Sequence, residues 1–347
     1  MQSKKLLLTG SHAETTAVAV IQEIKKRNLD WEIHWLGEES KNLTNLGVVN
    51  HIFKPGKVEN KFTRNTIPRF FKIPADFVNG RKLIREINPD LTLSFGSSAG
   101  AISSFWSNFY GIPVIVHEQT ATAGRANLIS SYFAKKILIS RESSLKFFSK
   151  NKTELIGNPL NSEIFKYLDL ERNKRIKSIL ITGGSRGSTW INSAVFPLLP
   201  QLLEKYFILH QTGEKNLDKF KTVVGEKYLS FGQVSPREMI EVISKSDLII
   251  SRAGANTVSE LIALKKPSIL IPIPWSYNDE QQKNAEFMQE LKLARILPQG
   301  DLTAQKLLSE IDALVEDYPA ILKRTENIIS PDLTASKKLV EILLRYI

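Results

Sequence analysis

The stretch Ser251-Arg-Ala-Gly-Ala-Asn-Thr-Val-Ser-Glu260 carries residue types that suit a nucleoside diphosphate. A turn of small residues ahead of a helix aims free backbone N–H groups outward, and such a cluster suits phosphate or diphosphate. Glu260 follows about one and a half helical turns later, a distance that lets a carboxylate accept two ribose hydroxyls. Pro267–Pro274 and Asp279-Glu-Gln-Gln-Lys-Asn-Ala285 come next in the chain. Taken alone, the stretch is equally an ordinary strand–turn–helix unit.

The elements that must position these groups can be read from periodicity. Asp247–Ile250 is a short apolar run that predicts a buried strand, and Val258, Leu261 and Ile262 mark the apolar face of the helix after it. The same grammar opens each half of the chain. Lys5–Leu8 leads into Thr9-Gly10-Ser11-His12 and a helix with Ala17, Val20, Ile21 and Ile24 at helical spacing. Ser178–Ile181 leads into Thr182-Gly-Gly-Ser-Arg-Gly-Ser188 and a helix with Ile191, Ala194, Val195 and Leu198. Further strands fit Glu32–Trp35, Leu91–Phe95, Pro113–Val116, Phe207–His210 and Ser268–Ile273. Alternating strands and helices predict an α/β protein with parallel sheets covered on both faces. Two such starts predict two Rossmann-like domains, residues 1–157 and 158–334, with the linker near Gly157-Asn158-Pro159. The polar cues follow strands directly, where open α/β sheets bind ligands. Two such edges facing one another would form an interdomain cleft.

Composition narrows the class. At 347 residues the chain exceeds the size at which single cores stop growing. No apolar run approaches the roughly 18 residues of a membrane span. Lys4-Lys5 before Leu6-Leu7-Leu8 starts like a signal peptide, but Thr9-Gly10 ends the apolar run too soon. With no cysteine there is neither disulfide nor thiolate metal site, and the five histidines lack metal-ligand spacing. A cytoplasmic location is expected. Net charge is +11, and between Lys54 and Arg85 nine basic residues face two acids, Glu59 and Asp76. Phe62, Ile67, Phe70, Phe71, Ile73 and Phe77 are interleaved, a pattern that suits an anionic membrane surface. Nucleic acid is the competing partner for a basic patch, but no nucleic-acid motif accompanies it.

The motifs together resemble the MurG family of peptidoglycan GlcNAc transferases, of the GT-B class and glycosyltransferase family 28. The resemblance runs in order through Thr9-Gly-Ser-His12, Trp35-Leu-Gly37, Ile112–Gln119 with Ala123-Gly124 and Asn127, and Gly157-Asn-Pro159. It continues through Gly183-Gly-Ser185 with Gly187, Gln211-Thr-Gly213, Arg252–Ala255 with Thr257 and Glu260, and Pro272-Ile-Pro274 with Gln281, Asn284 and Ala285. It implies transfer of N-acetylglucosamine from UDP-GlcNAc to the C4 hydroxyl of the MurNAc unit of lipid I, giving lipid II. The reaction would be an inverting displacement with no metal and no cofactor, at the cytoplasmic face of the membrane. The helix at about 335–347 would cross back onto the first domain.

By resemblance, Thr9, Gly10, Ser11, Thr120, Ser185, Ala253, Gly254, Ala255, Asn256, Glu260, Gln281 and Asn284 bind UDP-GlcNAc. Ser185 would donate to a phosphate or cap its helix. Glu260 would hold the ribose diol, Gln281 would read sugar hydroxyls, and Asn284 would support that helix. Backbone of Ala253–Asn256 would meet the phosphates or the acetamido group. His12 is the first candidate for general base, since imidazole titrates near neutrality; otherwise it bonds the diphosphate or caps a helix. Glu118 is the rival base, or a buttress of its loop, and His117 reads as structural. Arg69, Phe70, Phe71 and Lys72 would meet the membrane.

Departures from the family pattern cluster on the expected cleft. Leu7-Leu8 stand where the family has glycines, and Ser11 replaces another. Thr120 stands for an asparagine, Asn161 for an arginine, and Glu280 for a histidine or glutamine. They leave two other readings open: a GT-B transferase using another UDP-sugar on a lipid or wall precursor, and a catalytically weak homologue that binds a membrane partner. A dehydrogenase is disfavoured, because neither glycine loop has the G-x-G-x-x-G spacing.

Overall fold

In the computed structural model, which describes residues 3–10, 13–56, 73–184, 187–223 and 225–347, the chain forms two compact units. The first is Met1–Asn161 with Pro331–Ile347, and the second is Ser162–Ser330. Each is a parallel sheet with helical crossovers.

The first sheet holds β1 (Lys4–Gly10), β2 (Trp31–Gly37), β3 (Val49–Ile52), β4 (Leu91–Ser94), β5 (Val114–Glu118), β6 (Lys136–Ile139) and β7 (Thr153–Leu155). Their order is β3-β2-β1-β4-β5-β6-β7, and every pairing is parallel. Leu6, Leu8, Leu91, Leu93, Ile115 and Leu138 are buried in the core on one face and Leu7 and Leu36 in the core on the other, as a sheet covered on both faces requires. The helix Glu14–Lys26 covers one face with Val20, Ile21 and Ile24, and these pack in one core with Leu339, Val340 and Leu343 of the helix Ala335–Leu343. Arg27 adds hydrogen bonds to Glu341 and to the Lys337 carbonyl. A buried knot holds the returning chain. Asp332 accepts two bonds from Arg141, at 2.7 and 2.8 Å, and one from the Asn158 N–H at 2.7 Å. Gly157 sits there at φ 93°, where a Cβ would lie 2.8 Å from the Pro331 carbonyl oxygen.

The second sheet holds β8 (Ser178–Thr182), β9 (Phe207–Gln211), β10 (Tyr228–Phe231), β11 (Leu248–Ser251), β12 (Ser268–Leu270) and β13 (Ala294–Ile296). Its order is β10-β9-β8-β11-β12-β13, again parallel throughout. The expected strand Ser268–Ile273 is shorter than read, ending at Leu270. Pro272 has no N–H to extend the ladder. Strands β3, β6, β7, β10 and β13 were not anticipated. They are three or four residues long, too short to show an alternation of their own.

In both sheets the chain adds strands to one side, returns to the middle and then adds to the other. The reversal falls between β1 and β4 in the first unit and between β8 and β11 in the second. A crevice opens at the carboxyl ends of strands at such switch points.

Candidate active site

The second unit sets its chemistry at the carboxyl ends of β8, β9, β11 and β12. After β8, the loop to Ser188 turns at Gly184 (φ 82°) and Gly187 (φ 73°), closed by a 2.9 Å bond from the Gly187 N–H to the Gly184 carbonyl. A Cβ on Gly187 would stand 2.2 Å from the Thr212 carbonyl oxygen, so only glycine fits against the neighbouring loop. The N-cap of the helix Thr189–Val195 is Ser188, whose hydroxyl accepts from the Ile191 N–H. Ser188 therefore fills the capping role that was the alternative for Ser185. Ser185 itself lies outside the described residues.

After β11, Gly254 is the N-cap of the helix Ala255–Ala263 and offers no side chain to the first-turn N–H groups. Space above it is open, since a Cβ there would meet nothing within 4 Å. Gly254, Ala255 and Asn256 are half-buried at this crevice. Ala253 is different. Its N–H donates to Gln281 Oε1 at 3.3 Å and its carbonyl accepts from Asn284 Nδ2 at 3.1 Å. Both backbone groups of Ala253 are thus committed to the helix Glu280–Glu290, and the helix start beyond it has no side-chain cap.

Gln281 Oε1 also accepts from the Ile273 N–H at 3.1 Å. Two backbone donors on one oxygen settle the amide's orientation, which leaves Nε2 without a partner among the described residues. Glu260 is 8% exposed, and its carboxylate has no hydrogen-bond partner among the described residues. Burial alone pushes its pKa up to about 8. A buried acid left without donors beside an open crevice is a site that a diol can satisfy.

Arg252, to which the sequence motifs assign no role of its own, braces the site. Its Nη1 donates to the Ile271 carbonyl at 3.0 Å, and its Nη2 to Ser188 Oγ at 2.8 Å and Gln299 Oε1 at 2.7 Å. One buried guanidinium therefore ties together the ends of β11 and β12, the glycine loop and a distant turn. All three acceptors are neutral, so the cation keeps its charge beneath the loops; burial lowers its pKa. Its place directly after β11, within Ser251-Arg-Ala-Gly254, was the available signal.

In the first unit, the ends of β1, β4 and β5 are neighbours. Thr9 and Gly10 end β1, with Thr9 fully buried and its hydroxyl without a partner among the described residues; Ser11 and His12 lie outside those residues. After β4, Gly96 (φ 97°) and Ser97 (φ 70°) enter the helix Ser97–Phe109, and Ser97 is a non-glycine held in a left-handed conformation. After β5, Glu118 accepts from the Thr120 N–H and hydroxyl, the Gly124 N–H and Asn127 Nδ2, at 2.8 to 3.1 Å. Burial raises its pKa above the usual carboxylate range, against those four bonds. Its geometry is that of a loop buttress. Thr120 faces Glu118 and the Thr122 carbonyl, so its hydroxyl serves the same loop. His117 is fully buried on the Gly157 carbonyl, with its pKa lowered to about 4 by burial, and stays neutral. Asn161 is buried and accepts from Gln22 Nε2 at 3.2 Å.

Comparison with known proteins places this arrangement. Residues 14–139 match the glycosyltransferase family 28 N-terminal domain, and residues 178–340 match the glycosyltransferase family 28 C-terminal domain. The chain is 32% identical to UDP-N-acetylglucosamine–N-acetylmuramyl-(pentapeptide) pyrophosphoryl-undecaprenol N-acetylglucosamine transferase 1 of Bacillus cereus, over 96% of each chain. It is also 32% identical to the transferase of that name from Pediococcus pentosaceus, over 89% of each. The crystal structure of Acinetobacter baumannii MurG superposes with a TM-score of 0.73 at 20% identity, covering 99% of this chain and 100% of that one, which shows a shared fold. The chain belongs to the family of UDP-N-acetylglucosamine–N-acetylmuramyl-(pentapeptide) pyrophosphoryl-undecaprenol N-acetylglucosamine transferases, the MurG enzymes of glycosyltransferase family 28.

Proposed function

We propose that this chain transfers N-acetylglucosamine from UDP-GlcNAc to the C4 hydroxyl of the MurNAc unit of lipid I, forming lipid II and UDP. The observation that carries the donor assignment is Glu260, a buried carboxylate without a partner among the described residues, on the helix that follows β11 at the switch point of the second sheet. The ribose diol supplies the two donors it lacks. The diphosphate lies against the glycine loop and the uncapped first turn of the helix Ala255–Ala263. Gln281 Nε2 donates to a sugar hydroxyl.

In the reaction the acceptor oxygen bonds to the anomeric carbon as the bond from that carbon to the diphosphate oxygen breaks. The configuration inverts, and the acceptor proton passes to a base. Negative charge grows on the departing UDP. N–H dipoles and the unneutralised charge of Arg252 stabilise it there. His12 is the base in this reading, and Glu118 orders the loop that receives the acceptor sugar. The first experiment is UDP release from UDP-GlcNAc in EDTA, with and without a short-chain lipid I analogue. Acceptor-dependent release is expected. UDP binding without turnover would favour a weakly active homologue.

The acceptor's polyprenyl tail calls for a membrane surface. Among the described residues no helix is long and apolar enough to cross one. Arg69, Phe70, Phe71 and Lys72 lie outside the described residues. The adjoining helix Ile73–Ile87 exposes Val78 beside Arg81, Lys82 and Arg85. It packs through Phe77 on Phe105 and Trp106 of the helix Ser97–Phe109, which exposes Phe109. Apolar groups beside cations favour peripheral docking on anionic lipid at the cytoplasmic face.

A further inference from the structure

The second unit has another concavity at the opposite edge of its sheet. Asp247 precedes β11, Lys266 and Pro267 precede β12, and Asn173 lies ahead of β8, so these residues sit at the amino ends of the strands, away from the donor residues. A cavity of about 320 Å³ opens there, lined among others by Arg172, Asp247, Leu264, Lys266, Pro267 and Tyr318.

Three donors in this cavity have capacity left over. Lys266 is 9% exposed and donates to the Ser244 and Ser246 carbonyls at 2.6 and 2.8 Å, which leaves the third proton of its ammonium without a partner among the described residues. Arg172 donates to Thr325 Oγ1 at 3.0 Å and to the Leu322 carbonyl at 2.9 Å, two bonds from a group that can make five. Tyr318 is 2% exposed, and its hydroxyl has no partner among the described residues.

Arg172, Lys245, Lys265 and Lys266 stand there against Glu171, Asp247 and Glu326, with Glu171, Lys245 and Glu326 at the exposed rim. Asp247 is the buried acid, but its oxygens already accept from Asn173 Nδ2, the Lys177 and Ser178 N–H groups and the Ser178 hydroxyl. Neither Arg172 nor Lys266 forms an ion pair among the described residues. Burial together with Arg172 brings the Lys266 pKa down to about 8, against the pull of Asp247. Spare donors of three geometries, with one more cation than acid in the lining, suit a tetrahedral oxyanion. The cavity is larger than phosphate alone, and Leu264 and Pro267 give it an apolar wall.

We propose that this cavity binds the phosphate monoester of a small molecule, with Arg172, Lys266 and Tyr318 holding the phosphate. The site is separate from the donor crevice and independent of the transfer reaction.

The test is calorimetric titration of the full chain with ribose 5-phosphate and with inorganic phosphate. Saturable binding of the ester is expected, with inorganic phosphate competing more weakly. Arg172→Gln should weaken it about tenfold, a loss of about 1.4 kcal/mol. Tyr318→Phe should weaken it several-fold with the melting temperature held, and Glu260→Gln in the donor crevice should leave it unchanged. Absence of saturable binding by either probe would overturn the proposal. So would ester binding that survives both Arg172→Gln and Tyr318→Phe, or that is lost in Glu260→Gln.

Discussion

Arg252 and Ser188 are joined by a 2.8 Å hydrogen bond that ties the end of β11 to the glycine loop after β8. The same guanidinium holds Gln299 and the Ile271 carbonyl. A lysine ammonium lacks the planar fork needed to serve all three. Arg252→Lys is expected to leave buried acceptors unsatisfied at about 1–3 kcal/mol each and to weaken UDP binding at least tenfold. A variant with unchanged melting temperature and UDP affinity would show that the bracket does not set the loop.

Glu260 makes both stability and donor affinity depend on pH. Its folded pKa, about 8, is above the ordinary carboxylate value of 4.5, so the folded state holds a proton that the unfolded state has lost. Its contribution to stability is complete below about 4.5 and disappears as pH rises through about 8. Glu260→Gln should therefore flatten the stability profile over that window. UDP affinity should rise between pH 6.5 and 8.5 in the native chain, because the diol donates best to the anion, and should rise less in the variant. Parallel profiles would remove Glu260 from the ribose.

Gln281 separates sugar recognition from loop support. Gln281→Glu keeps an oxygen for the Ala253 and Ile273 N–H groups and removes the Nε2 donor. KM for UDP-GlcNAc should rise several-fold while the affinity for UDP stays near that of the native chain. Equal losses for both ligands would mean that the residue acts only through the loop.

Glu118 and His12 are distinguished by what each loses. Glu118→Gln turns an NH2 group toward donors that now converge on a carboxylate, at a cost of about 1–3 kcal/mol. Its melting temperature should fall. His12→Ala should lower kcat by about 10²–10⁴ with little change in melting temperature. If Glu118→Gln instead keeps its stability and loses the acidic limb of the pH–rate profile, Glu118 is the base.

Membrane docking has an electrostatic and an apolar part. Replacing Val78 and Phe109 by serine should reduce cosedimentation with anionic vesicles at every salt concentration. Arg81→Glu with Arg85→Glu should reduce it chiefly at low salt, where charges are least screened. Equal recovery of the native chain on neutral and anionic vesicles at low salt would count against the electrostatic part.

The fold class was legible because it rests on neighbours along the chain. Apolar runs at Lys5–Leu8, Ser178–Ile181 and Asp247–Ile250, each followed by small residues and a helical stripe, imply parallel α/β sheets, and two such sheets are found. The short strands were not legible. β3 and β10 are half-exposed stretches of four residues that become strands only because β2 and β9 offer them an edge.

The candidate site divides in the same way. Residue order alone placed Gly254, Glu260 and Gln281 after the strands of a crevice, because strand ends and helix starts are local features. That Glu260 has no donor among the described residues, and that both backbone groups of Ala253 are taken by residues 28 and 31 positions on, depended on how the chain packs. Arg252 shows the difference most clearly, since its three acceptors lie 19, 47 and 64 residues away. Periodicity reports which face of an element is apolar. Desolvation and hydrogen-bond saturation are sums over every atom that packing brings within a few ångströms, and only the folded chain sets those sums.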